Sequence, residues 1–268
     1  MKKLLALILT LVMAVTLVAC GGTNDDVATD SDAAYITDKG TMVIGMTLFA
    51  PMDYMDENGE LTGFEVEFGK AVCEKLGLTP EFIEINWDAK ETELAAKNID
   101  CIWNGMTITE ERAANMSISV PYMTNKQVVV TKAENAEKYA ASLKDAVVVA
   151  EAGSAGEELA TANPFFADAE FTPVDSMAKA LMDVAAGTSD VAVVDYVASI
   201  GSIGEGTDFE DLVVVETEEF SPEEYGIAFR KGSDMTAKVN EAIKELAADG
   251  TLATIAAKYK LDEVLSVK

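Results

Sequence analysis

Residues 104–112 read NGMTITEER, and the arginine that ends them is one of two in a chain that carries 47 acids. The remaining bases are lysines, so solubility alone does not account for Arg112. A guanidinium is a rigid, permanently charged fork that meets a carboxylate through two parallel hydrogen bonds, which an ammonium cannot do. Arg112 is therefore a candidate for gripping the carboxylate of a ligand. The competing reading is a salt bridge to a neighbouring acid, the commoner role for an arginine judged on position alone. The chain has no histidine. That excludes Ser-His-Asp and Cys-His machinery and removes the commonest zinc ligand.

The chain that must position Arg112 has 268 residues, 49% of them hydrophobic and 25% charged, with a net charge of −27. This is enough for one large domain or two lobes with a core each. Such a polyanion repels phosphate backbones, so nucleic-acid binding is disfavoured and no nucleic-acid partner is expected. Lys2 and Lys3 precede an apolar run of 15 residues, Leu4 to Val18, too short for a comfortable membrane span. Residues 1–19 are thus expected to be a signal peptide. The run ends in Leu17-Val18-Ala19-Cys20 and is followed by two glycines. This resembles the lipobox of bacterial lipoproteins, which implies that Cys20 is acylated and becomes the mature N-terminus. The alternative is an ordinary secretory signal with a chance cysteine. No other segment is long and apolar enough to span a bilayer, so the expectation is an exported protein, tethered to the cell membrane by lipid alone. Cys73 and Cys101 remain. Export permits their pairing, but two buried thiols is the preferred reading.

From Gly21 to about residue 34 the chain is small and polar, so residues 20–34 read as the lipidated cysteine and a flexible linker. Strand-like and helix-like segments then alternate. Met42–Met46, Glu81–Ile85, Asp100–Trp103, Gln127–Thr131, Ala146–Ala150, Val191–Val194 and Tyr225–Arg230 read as strands. Phe64 to Leu76 has helical spacing, with Phe64, Phe68, Ala71, Val72 and Leu76 on one face and Gly77 as its C-cap. Lys90–Lys97, Gly153–Ala162, Ser176–Ala186, Met235–Ala248 and Leu252–Tyr259 read as further helices, and Asp56 to Gly59 as a hairpin turn. The alternation argues for an α/β fold with largely parallel sheets buried on both faces. No internal repeat is visible.

The stretch GFEVEFGKAVCEKL, Gly63 to Leu76, resembles the signature of the solute-binding protein family 3, the extracellular amino-acid receptors of ABC importers. The resemblance extends over about Tyr35 to Tyr259. It implies a periplasmic-binding-protein-like fold of two α/β lobes joined by two crossing segments, with ligand captured in the cleft by a hinge motion. Lobe 1 would comprise residues 35–122 plus 227–268 and lobe 2 residues 127–222. Residues 122–126 and 223–226 would be the hinges.

The same resemblance implies roles for particular residues. Arg112 would pair with the α-carboxylate of an amino acid, Thr107 would offer its N–H and hydroxyl, and the Gly105 carbonyl would accept from the ammonium. Ser154 and Ala155, in the Gly153 to Gly156 turn, would give backbone N–H groups to the carboxylate, as a helix N-terminus favours an anion. A plain N-cap turn is the alternative. Asp195, at the end of AVVD, would bind the ammonium. Phe49 and Trp87 would sandwich the ligand side chain, unless both are ordinary core aromatics. Met46, Asn104 and Glu151 depart from the usual residues at side-chain-sensing positions and leave the selected amino acid open. The implied function is a lipid-anchored receptor, monomeric and without cofactor or metal, that delivers an amino acid to the permease of an ABC importer. An enzyme on the same fold, of dehydratase type, would need a general acid or base in the cleft. Glu151 could serve, but no paired constellation supports it, so the chain reads as a non-enzyme. A sensor is a third possibility that these residues do not separate from a transport receptor.

Overall fold

The computed structural model describes residues 31–217 and 220–267, and from Asp32 onward the chain forms one compact unit. Its first half runs α1 (Asp32–Lys39), β1 (Thr41–Met46), β2 (Tyr54–Met55), β3 (Leu61–Thr62), α2 (Phe64–Leu76), β4 (Thr79–Glu84), α3 (Lys90–Ala95), β5 (Cys101–Ile102), α4 (Glu110–Asn115), β6 (Met116–Ile118) and β7 (Met123–Asn125). Next come β8 (Gln127–Lys132), α5 (Ala136–Ala141), β9 (Val147–Glu151), α6 (Ala155–Ala162), β10 (Glu170–Val174), α7 (Met177–Ala186), β11 (Val191–Asp195), α8 (Tyr196–Ser202) and β12 (Leu212–Val214). The chain closes with β13 (Glu223–Tyr225), β14 (Ala228–Arg230), α9 (Met235–Ala248) and α10 (Thr251–Lys258).

The strands form two five-stranded sheets, ordered β4-β1-β5-β14-β6 and β10-β9-β11-β8-β12. Each has a parallel trio, and its fourth strand runs against both neighbours: β14 against β5 and β6, β8 against β11 and β12. The sheets are therefore mixed, less parallel than expected, and their orders correspond strand for strand although the sequence shows no repeat. The antiparallel strand in each follows directly on a short segment belonging to neither sheet. Those segments, β7 and β13, pair with each other as a ribbon, Met123 opposite Tyr225 and Asn125 opposite Glu223. The C-terminal tail seals the ribbon, with the Thr124 N–H donating to the Val264 carbonyl at 2.8 Å and the Ser266 N–H to the Tyr122 carbonyl at 2.9 Å.

Helix α2 forms where its apolar spacing places it. Phe64, Phe68 and Val72 are buried, Phe68 meets Trp103 edge-on at 4.8 Å, and Ala71 and Leu76 pack at the border of the same core. Each large apolar side chain buried this way contributes about 1.5–3 kcal/mol. Gly77 ends the helix at φ 68°, where the N–H of Leu78 reaches back to the Cys73 carbonyl at 2.8 Å. Cys73 and Cys101 are buried free thiols. Burial pushes the Cys73 thiol up to about 12 and that of Cys101 well up.

Two readings change. The segment taken as linker to residue 34 already belongs to α1 from Asp32. Ala33 is buried, its N–H donates to Asp234 Oδ1 at 2.7 Å, and Asp32 pairs with Arg230 Nε at 2.7 Å. Those partners lie some 200 residues away, beyond the reach of local composition. Residues 1–30, with the expected signal peptide, Cys20 and the rest of the linker, lie outside the described residues. The single strand expected over Tyr225–Arg230 is two, broken at Gly226. Its first half pairs with the ribbon and its second with the sheet, and a Cβ on Gly226 would sit 2.6 Å from Ile118 Cγ2.

Gly63, which opens α2, adopts φ +132°, and a Cβ there would lie 2.0 Å from the Met52 carbonyl oxygen. Gly63→Ala is expected to destabilise the protein by about 3 kcal/mol or more through strain and overpacking. Urea denaturation monitored by circular dichroism checks this, and an unchanged midpoint would contradict it.

Candidate functional site

Three of the residues singled out above, Arg112, Thr107 and Asp195, are linked through side chains of the β7–β13 ribbon. Helix α4 is capped by Thr109, whose hydroxyl accepts from the Arg112 N–H at 3.1 Å. The Arg112 side chain is only 6% exposed. Arg112 Nη1 donates to the Thr107 carbonyl at 2.9 Å. Nη2 donates to Glu158 Oε1 at 2.7 Å and to the Gly153 carbonyl at 3.4 Å. Both readings of Arg112 thus meet in one side chain: it is buried at the centre of the constellation, and it makes an ion pair, with a partner on α6.

Thr107 links Arg112 to the acids. Its hydroxyl donates to Glu223 Oε2 at 3.0 Å. The same oxygen accepts from Asn125 Nδ2 and Gln127 Nε2, both at 3.1 Å. These two amides also donate to Asp195 Oδ1, at 2.8 Å and 2.5 Å. A continuous bonded path therefore runs from a guanidinium to a buried carboxylate. Burial pushes Asp195 up to about 7, with the neighbouring Glu223 adding to the rise and the Gln127 and Asn125 donors opposing it. Glu151, at the end of β9, is 1% exposed and its Oε1 has no hydrogen-bond partner. Burial first, then the charge of Asp195, push it up to about 8.

Gly105 adopts φ +55°, and its N–H donates to both oxygens of Glu65, at 2.9 Å and 3.1 Å. A Cβ there would stand 3.0 Å from Phe49 Cζ and 3.3 Å from the Tyr225 ring. Glu65 also accepts from the Tyr122 hydroxyl and lies beside Asp53, whose carboxyl is held well above the usual range by burial and by Glu65.

Other candidates take plainer positions. Ser154 is the N-cap of α6, its hydroxyl accepting from the Glu157 N–H at 3.1 Å, with the half-buried Ala155 next to it. Glu157 itself accepts from the Gly153 N–H at 2.6 Å. The Asn104 amide is engaged wholly inside its own half of the molecule: its Oδ1 accepts from the Thr47 N–H and hydroxyl, and its Nδ2 donates to the Thr47 carbonyl and Asp53. It ties the segment around Thr47 to Asp53, either side of Phe49. Met46 ends β1, buried. Phe49 belongs to the main core, and Trp87 to a smaller cluster with Leu94, Ile99 and Met106. The Trp87 ring carries Lys90 Nζ 5.0 Å above it. Among the described residues no group of three acids or cysteines is placed to hold a metal.

Sequence reasoning missed Lys90, Asn125, Gln127, Glu158 and Glu223. Lys90 is buried, its ammonium donating to the carbonyls of Trp87 at 3.2 Å and Gly153 at 2.9 Å. Burial and then Arg112 hold its pKa down. One signal was available for the amides: Asn125 and Gln127 are two apart in an extended segment, so they project from the same side of it.

Asp53, Glu65, Glu151 and Asp195 all have raised pKa values. The folded protein therefore holds protons that the unfolded chain, titrating near 4, has released. Their contribution to stability is complete below about pH 4 and is lost as pH rises through the folded values, up to about 8. The melting midpoint of the ligand-free protein is expected to fall between pH 5 and 8, less steeply in Glu151→Gln. A midpoint that rises over this window would contradict it.

Comparison with known proteins agrees with this architecture. The family model for bacterial extracellular solute-binding proteins, family 3, matches residues 42–262. The L-cystine-binding protein TcyJ of Escherichia coli is 33% identical over 252 residues, 92% of each chain. The L-cystine-binding protein TcyA of Bacillus subtilis is also 33% identical, over 98% of this chain and 99% of its own. The crystal structure of an ABC uptake transporter substrate-binding protein from Streptococcus pneumoniae with bound histidine superimposes with a TM-score of 0.79. It is 29% identical over 88% of this chain and 99% of that one. Two mixed sheets flanked by helices, joined through a ribbon and matched over this length, place the chain in family 3 of the bacterial extracellular solute-binding proteins.

Proposed function

We propose that this protein captures an α-amino acid between its two lobes and delivers it to the permease of an ABC importer. The observation that carries the reading is the bonded path from Arg112 through Thr107, Glu223 and the two amides to Asp195. It sets a cation and an anion at opposite ends of one bonded path, which suits the carboxylate and ammonium of a zwitterion. Charge-assisted bonds at both ends support micromolar affinity or better, about −8 kcal/mol. The lobes are residues 32–122 plus 227–268, lobe 1 now beginning with α1, and 127–222, and the β7–β13 ribbon is the hinge. L-Cystine is the first ligand to try, because both cystine-binding relatives align over most of their length. The protein acts as a monomer at the outer face of the membrane, released from residues 1–19 and held by acylated Cys20. Among the described residues no helix is long and apolar enough to cross a membrane.

The test is thermal denaturation of residues 21–268, refolded to strip ligand, against L-cystine and the twenty amino acids. Ligand binding to the folded state raises the midpoint by mass action. Arg112→Ala should weaken binding by about 100-fold or more, since it leaves a buried charge unpaired. No shift with any amino acid would sink the reading.

The ammonium must meet an ionised Asp195, which titrates near 7 in the free protein. Affinity is therefore expected to fall below pH 7 by up to about tenfold per unit. Asp195→Asn should bind weakly at every pH. A wild-type affinity that stays flat from pH 5 to 8 would remove Asp195 from the site.

A further inference from the structure

Arg112 is held from both sides of the molecule, and the way it is held bears on how a ligand enters. A guanidinium offers a carboxylate two bidentate faces. One consists of Nε–H and an Nη2–H, the other of an Nη1–H and the second Nη2–H, so each face needs one hydrogen of Nη2. In this structure Nη2 donates to Glu158 Oε1 at 2.7 Å and to the Gly153 carbonyl at 3.4 Å. One hydrogen of Nη1 goes to the Thr107 carbonyl at 2.9 Å. Nη2, which both bidentate faces need, is therefore already given to groups of the protein itself, and its strong, charged partner is Glu158.

We infer that Glu158 is an internal competitor for the carboxylate receptor of this protein: it occupies a fork of Arg112 that an incoming carboxylate must take over. Glu158 thereby sets the affinity for ligands that carry a free α-carboxylate. The inference rests on the reading of Arg112 as the carboxylate receptor. Two features make the exchange feasible. The Glu158 side chain is 58% exposed while that of Arg112 is 6% exposed, so the displaced carboxylate regains water and the guanidinium does not. Lys90 Nζ holds the Gly153 carbonyl at 2.9 Å independently, so the turn that starts α6 keeps its contact when Glu158 swings away. The Glu158 backbone is fixed, its N–H donating to the Ser154 carbonyl at 3.2 Å, so the competitor stays tethered beside the site.

The test is isothermal titration calorimetry at pH 8 on residues 21–268. L-Cystine, L-arginine and L-histidine are titrated into wild type, Glu158→Gln, Glu158→Ala, Arg112→Lys and Glu241→Gln. Glu241 is an exposed acid on α9 and controls for loss of one negative charge. Both Glu158 variants are expected to bind their amino acid about 2- to 10-fold tighter. Glu241→Gln should match wild type, and Arg112→Lys should bind more weakly. The gain should vanish for the corresponding amine without a carboxylate: cystamine, agmatine or histamine. Unchanged or weaker binding in both Glu158 variants, with Arg112→Lys still impaired, overturns the inference and leaves the receptor reading standing. A gain that persists for the amine, or that Glu241→Gln reproduces, also overturns it, since long-range charge then suffices. No effect of Arg112→Lys, or no binding of any of the three amino acids, overturns the receptor reading and the inference with it.

Discussion

Two carboxylates meet where the halves of this protein join, and neutral amides hold them together. Asp195 closes β11 and Glu223 opens the return strand of the ribbon. Each of Asn125 and Gln127 gives hydrogen bonds to both acids. An amide NH2 has two hydrogens, so one side chain can serve two acceptors. It brings no formal charge, however, and the like charges remain under-neutralised. Burial first, and then the like charge of Glu223, hold Asp195 near 7 instead of near 4. On the proposed function, Asp195 at the end of β11 and Glu223 in the ribbon would together receive a cation. A ligand ammonium bound there would bridge β11 and the return strand of the ribbon.

The opposite wall has the reverse problem. Arg112 and Lys90 both point their nitrogens at the Gly153 carbonyl, and α6 starts just beyond it with the positive end of its dipole. Three positive features in one corner repel each other unless acids intervene. Glu157 and Glu158, in the first turn of α6, supply them, one on the Gly153 N–H and one on Arg112. The α6 N-terminus, which the sequence offers as a plain anion site, therefore arrives already furnished with its own anions. Lys90 has a lowered pKa that reflects burial first and the Arg112 charge second.

How much of this was legible follows from the range of each interaction. The extent of α2, its apolar face and its Gly77 cap depend on neighbours within a few residues, and the sequence reading matches the structure there. The ends of β9 and β11 follow from short apolar runs that stop at Glu151 and Asp195. Short or polar elements were missed, among them β7, β12 and α8, because two or three residues carry no period. The break at Gly226 depends on Ile118 more than a hundred positions away. The position of Arg112 was legible from rarity and context, but its partner was not. Glu158 is one of 47 acids, and only the fold brings it against α4.

The signature stretch shows why a motif far from the site can still inform on it. Its two acids, Glu65 and Glu67, look equivalent in sequence, both in the first turn of a helix where the dipole favours them. The fold gives them different work. Glu67 faces outward to Lys258 and Tyr259. Glu65 is buried with Asp53, holds the Gly105 N–H and accepts from Tyr122, the residue just before the first crossing strand. One carboxyl therefore ties a core helix, the Gly105 turn and the start of the ribbon into a single bonded unit. A buried acid pair of this kind is destabilising in itself, and apolar residues of similar volume would do as well for packing. They could not accept from a backbone N–H, and Gly105 at φ +55° would lose the partner that fixes it. The acid at position 65 is thus better explained by the aim of the Gly105 backbone toward the site than by the stability of the helix that carries it.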